Sequence, residues 1–137
     1  MKKLFCVVCL MLFVAGNVLA ADITYEATEL VKTSSSWDGE ALPQYPEGVP
    51  EVTILRIIIP QGAQLPIHEH PVINAGVLLT GELTVTTVDN KVLHLKAGDP
   101  IVEVVDKWHY GKNEGSEQAE IVVFYAGIKD MPITIKQ

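Results

Sequence analysis

The sequence predicts an all-β domain, a sandwich or barrel of short strands. Three observations carry that expectation. Apolar residues almost never recur at helical spacing, runs rich in Val, Ile and Thr recur instead, and Gly, Pro and Asp-Asn signals separate those runs. Strands are expected over residues 24–32, 51–59, 75–80, 83–88, 91–95, 101–105 and 120–125, with a short one over 133–135. Asp89-Asn90 joins two alternating segments and reads as a hairpin turn, since both side chains tolerate positive φ. Gly81, between Leu79 and Leu83, lets the chain bend between paired strands. Residues 34–50 hold Pro43, Pro46 and Pro50 beside Trp37 and Tyr45, and read as a semi-rigid loop laid over the barrel.

Ahead of these elements stands a different kind of segment. The chain has 137 residues at 48% hydrophobic content, but residues 1–20 contain no acid and are nearly all apolar after Lys2 and Lys3. A basic start, an apolar run from Leu4 to Val14, a break at Gly16-Asn17 and the small-residue site Val18-Leu19-Ala20 make a secretory signal peptide, too short to span a bilayer comfortably. Phe5 and Val8 precede Cys6 and Cys9, where a lipoprotein signal needs a small residue. Cleavage after Ala20 leaves residues 21–137 as a single domain, periplasmic or secreted, with no membrane anchor. Both cysteines leave with the signal, so the mature core must hold without disulfides. Loss of Lys2 and Lys3 also makes the mature chain two charges more acidic than the full-length −7. Such a field repels phosphates, which excludes nucleic acid as a partner.

The chemistry rests on the histidines. His68 and His70 lie two apart in LPIHEHP, so an extended chain turns both to one face, with Val72 and Asn74 in the same parity. Imidazoles so placed can share one metal ion. His109, in KWHYGKN, comes after a Gly-Asp turn and an apolar strand, and a strand pairing would bring it opposite the first two. Surface H-x-H pairs are frequent, so the pair alone is weak evidence.

The spacings add to it. Gly62-x5-His68-x-His70-x3-Asn74-x6-Gly81 resembles the first motif of the cupin family, G-x5-H-x-H-x3,4-E-x6-G. Gly98-x10-His109-x3-Asn113 resembles the second, G-x5-P-x-G-x2-H-x3-N. The resemblance covers residues 62–113 and implies a double-stranded β-helix (jelly-roll) barrel, often a homodimer, with a divalent metal on the motif residues. Carried over position by position, the ligands are His68, His70 and His109, with Asn74 where the family has its glutamate. Val104 and Asp106 stand where the second motif has proline and glycine.

Asn in place of Glu removes a negative charge from the site. Three neutral imidazoles favour a transition metal (zinc, iron, nickel, copper or manganese) over calcium or magnesium. Two readings of Asn74 stay open: a three-histidine metal site, similar to that of some dioxygenases, or a barrel whose metal site has been lost. Glu103 is the one charge in the apolar run IVEVV. If its face lines the barrel, the carboxylate replaces the missing ligand or acts as general base; if not, it is a solvated charge. His94, between Leu93 and Leu95, is expected outside, and Asn113 is expected to shape the GKNEG turn. Val72, Val77 and Leu79 are expected to be lining or core. The function classes in play are a metal-dependent dioxygenase or isomerase acting on a small organic molecule, and a non-catalytic module that binds a metal or small ligand.

Overall fold

The structure, a computed structural model, describes residues 24–137, and all the regular elements among them are strands. The expected signal peptide lies outside the described residues. In chain order the strands are β1 (Pro50–Ile59), β2 (His68–Glu69), β3 (Ile73–Thr80), β4 (Glu82–Thr87), β5 (Val92–Lys96), β6 (Pro100–Val102), β7 (His109–Lys112), β8 (Ala119–Ile128) and β9 (Ile135–Lys136). They form two antiparallel sheets, ordered β1-β8-β3-β6 and β5-β4-β7-β2-β9. No helix among the described residues is long and apolar enough to cross a membrane.

Strict alternation builds the first sheet. Leu55, Ile57 and Ile59 of β1 face Val123, Ile121 and Ala119 of β8 in register, and their side chains point between the sheets. From the second sheet Leu83, Val85 and Leu95 meet them, giving a core in the gap between two layers. Gly81 is required where it stands: its φ is +74°, and a Cβ there would lie 2.7 Å from the Gln118 carbonyl oxygen.

Three expectations need correction. Residues 24–32 form no strand; they have no ladder partner among the described residues, and Tyr25, Leu30 and Val31 are exposed. A strand-like composition does not suffice without a neighbouring edge to pair with. The strand expected over 101–105 stops at Val102, so its alternation breaks and both Ile101 and Val104 are buried. Leu79 of β3 is exposed, because the alternation that buries Val72, Asn74 and Leu78 turns it outward. The expected hairpin turn at Asp89-Asn90 joins β4 to β5, with Asn90 at φ 63°. Two strands carrying site residues, β2 and β7, are absent from the expected set, because two and four residues give too little periodicity to read.

Candidate metal centre

Histidine geometry comes from backbone pairing. His68 on β2 stands opposite His109 on β7 in the ladder register, and His70 lies just beyond β2. Ring centroids are 4.5 Å apart for His68–His109, 4.9 Å for His68–His70 and 5.1 Å for His70–His109. One ligand nitrogen from each ring lies within 4.8 Å of the others.

Each ring is oriented from behind. Nδ1 of His68 lies 2.7 Å from the Pro66 carbonyl oxygen, Nδ1 of His70 lies 2.8 Å from that of Ile133, and Nδ1 of His109 lies 2.8 Å from that of Lys107. A carbonyl only accepts, so each Nδ1 carries the proton and each Nε2 keeps a free lone pair. Backbone bonds of this kind fix tautomer and orientation in metal-ligating histidines. His109 Nε2 is buried without a hydrogen-bond partner among the described residues. An unpaired buried acceptor is costly, and a cation would satisfy it. The donor set therefore fits a divalent transition metal.

Burial lowers the pKa of all three imidazoles, with the backbone carbonyls opposing, and brings His70 down to about 4. They are thus neutral at physiological pH, as ligation requires.

Glu103 turns into the same cavity, a space of about 50 Å³ lined also by Asn74, Val123 and Tyr125. Its Oε1 lies 3.8 Å from His109 Nε2 and accepts a 3.0 Å bond from Trp37 Nε1. Burial pushes the carboxyl up to about 7, with the Trp37 indole N–H and the Val104 amide opposing. Burial likewise pushes the Tyr125 phenol up to about 12. Asn74 is 2% exposed, and its amide nitrogen lies 3.4 Å from the Val72 carbonyl oxygen.

The family's glycine position in the second motif carries Asp106, yet the backbone keeps the left-handed conformation, at φ 52°. Asp tolerates that conformation, and its amide donates to the His70 carbonyl oxygen at 2.9 Å, joining the two motifs. Asn113 shapes its turn, donating to Ile59 O and Glu117 O and accepting from Gly115 N. His94 is exposed and bonds Thr84 across the β4–β5 pair.

Trp37 is a site residue that sequence reasoning misses. It sits on a strap, residues 35–41, closed by a bridge between Ser35 and Ala41. The strap docks through the Trp37 amide on Val102 O and through Asp38, whose side chain is 0% exposed and pairs with Lys107 and Lys91. Burial raises the Asp38 pKa, but the Lys107, Ser36 and Glu40 hydrogen bonds outweigh it and leave about 2. Lys107 also offers the carbonyl that orients His109, so one strap braces both Glu103 and His109. The only hint in the sequence is an aromatic donor beside an acid in SWDGE.

A family model described as Cupin domain matches residues 55–125, just over half of the chain. The chain belongs to the cupin family. Among solved structures, this cupin is similar to an oxalate oxidase in complex with the substrate analogue glycolate, at 26% identity and TM-score 0.53, covering 62% of this chain and 45% of that one. The chain thus spans less than half the length of that oxidase. An uncharacterised double-stranded β-helix protein from Klebsiella pneumoniae matches at 20% identity and TM-score 0.55, covering 68% of this chain and 88% of that one. A cupin-like protein from Thermotoga maritima matches at 13% identity and TM-score 0.53, covering 63% and 64%. The last two show the fold. No curated protein matches the sequence.

Proposed function

We propose that this chain is an exported cupin that holds one divalent transition metal on His68, His70 and His109 and acts there on a small organic acid or phenol, by metal-assisted oxidation or isomerisation. The observation that carries the reading is the clustering of three imidazoles with a ring nitrogen of each within 4.8 Å of the others, each Nδ1 on a backbone carbonyl and His109 Nε2 buried without a partner among the described residues. The likeness to an oxalate oxidase supports a small acid as substrate.

When bound, the metal supplies Lewis-acid polarisation of a ligand in its open positions. The chain's own residues do the rest. Glu103 is the carboxylate of the cavity, in place of the family's glutamate at Asn74. Its contacts with Trp37, Val104 and His109 all fall on Oε1. That leaves Oε2 to take a proton from a substrate. A cation beside Glu103 favours the ionised form, against the effect of burial. Ile57, Leu83 and Val85 exclude bulk water.

Asn74 at the glutamate position favours a second reading, in which the barrel holds a metal or small ligand without turnover. Export is supported by the basic start, apolar run and small-residue site of residues 1–20. A homodimer is supported by the outward face of the edge strand β1, where Val52, Ile54 and Ile58 are exposed.

Metal analysis of untagged protein tests the central claim. About one transition metal per chain is expected, lost in His68→Ala and His70→Ala and kept in His94→Ala; less than about 0.1 per chain after incubation with zinc, iron, nickel and copper refutes it. Turnover with metal retained in wild type, and lost in Glu103→Gln with metal still bound, separates the enzyme from the binding module. Mass spectrometry of the exported protein should give a mature chain starting at Ala21.

A further inference from the structure

We infer that the lateral cleft between β1 and β9 is the ligand subsite of the metal centre, and that it takes a monocarboxylate carrying a compact apolar body. This rests on the proposed three-histidine metal site and gives it a substrate class.

The topology makes the cleft. β1 is the edge of one sheet and β9 the edge of the other, so the sandwich has a seam where no ladder closes it. A hollow of about 210 Å³ opens along that seam. His68, His70 and Tyr125 line both this hollow and the inner cavity. A molecule entering from the side therefore meets two of the three metal-ligating imidazoles directly. Larger hollows exist, of about 310 Å³ beside Asp38 and about 390 Å³ beside Glu82, but neither is lined by a histidine.

The lining sets the chemistry. Leu55, Ile57, Leu65 and Pro66 form an apolar wall, while Thr134 and Lys136 supply a hydroxyl and a cation. Among the described residues that line the cleft, Lys136 is the one Lys, Arg, Asp or Glu. No Asp or Glu among the described residues lines the cleft, in a chain with 17 acids against 10 bases. The field of the whole protein repels anions, so an anionic ligand must be drawn locally, by Lys136 and the metal charge. A single negative charge matches this pair of attractors. The apolar wall gains only if the rest of the ligand is apolar, because a compact dianion such as oxalate would desolvate its second charge against hydrocarbon. At about 210 Å³ the space falls below the roughly 300–1,000 Å³ of drug-sized sites, which limits the body to about one ring or a short branched chain.

Calorimetric titration of the full chain, metal-free and zinc-loaded, decides the matter with three probes: benzoate, its neutral counterpart benzamide, and oxalate. Benzoate should bind the zinc-loaded protein at least tenfold more tightly than either of the others. Lys136→Gln should weaken benzoate five- to tenfold and leave benzamide unchanged. Leu55→Trp, which fills the cleft, should abolish benzoate binding while zinc uptake persists. Lys136 is exposed, so its replacement tests the charge without risk to the core. Oxalate binding as tightly as benzoate, or benzoate affinity unchanged in Lys136→Gln, overturns the proposal and leaves the metal reading intact. A wild type without zinc refutes the metal reading alone. The metal-free titration then still decides the cleft, since the same probe order and the same Lys136 dependence are expected there.

Discussion

The two sheets are built on different terms. In the first, β1 and β8 pair over ten consecutive residues, and β3 runs along the other side of β8. In the second, β2 has two residues, joined to β7 by one pair and to β9 by two. The long ladders hold most of the core, and the short strands β2 and β7 carry His68 and His109, with His70 just beyond β2. Backbone hydrogen bonds and buried apolar contacts set local opening free energies, so the histidine corner is the softer part of the molecule. Its order depends on contacts that ordinary strands do not need, namely three carbonyl-to-imidazole bonds and the strap beneath Glu103. A bound metal would do for this corner what ten paired residues do for β1 and β8.

The contrast can be broken from the scaffold side first. Ile121→Ala, in the buried face of β8, should cost about 2–5 kcal/mol whether or not metal is present, measured by denaturant unfolding. Metal should act on the other side. Addition of zinc at about 100 times its Kd should raise stability by about 2.7 kcal/mol, and hydrogen exchange should slow in β2, β7 and β9 more than in β1 and β8. Loss of the gain in His109→Ala, with the β1–β8 protection unchanged, would sharpen the comparison. Equal protection of both sheets would erase it.

The strap gives a smaller effect with a defined pH window. Asp38 falls from an unfolded value near 3.8 to about 2, so its contribution is present above 3.8 and is lost as pH drops through about 2. Asp38→Asn should therefore destabilise at neutral pH, by about 1–3 kcal/mol for loss of a buried charged hydrogen-bond acceptor, and the difference from wild type should shrink in acid. Glu103 and His70 act in opposite directions in metal-free protein. Glu103, raised from 4.5 to about 7, contributes stability below 4.5 that is lost as pH rises through about 7. His70, lowered from 6.5 to about 4, contributes stability above 6.5 that is lost as pH falls through about 4. Melting curves should then show Glu103→Gln gaining on wild type between pH 4.5 and 7; a constant difference would mean that Glu103 is not buried as described. The smallest change is expected for His94→Ala on the exposed β4–β5 pair, within about 0.5 kcal/mol.

Legibility in the sequence divides along the same line. Strands β1, β3, β4, β5 and β8 can be read because alternation over five or more residues is a local signal. His68, His70 and His109 can be brought together because parity places the first two and motif spacing the third. Residues 24–32 mislead because composition says nothing about whether an edge is waiting. Leu79 misleads because its apolar side chain suggests burial, whereas parity with Asn74 and Leu78 turns it outward. Glu103 is legible as an anomaly in IVEVV, but its side cannot be assigned from alternation, since the strand ends one residue before it.

What the sequence determined by itself was the barrel class, the family spacing and the three imidazoles, all of which depend on intervals counted along the chain. What only the tertiary structure decided was how those imidazoles are held and approached. The Trp37 bond to Glu103 joins residues 66 apart, and the Ile133 carbonyl that orients His70 lies 63 residues away. The cleft between β1 and β9 exists only because two sheet edges part in space. Periodicity encodes which face a side chain takes on its own strand. It carries no record of which distant backbone atom will stand behind that side chain once the sheets have closed.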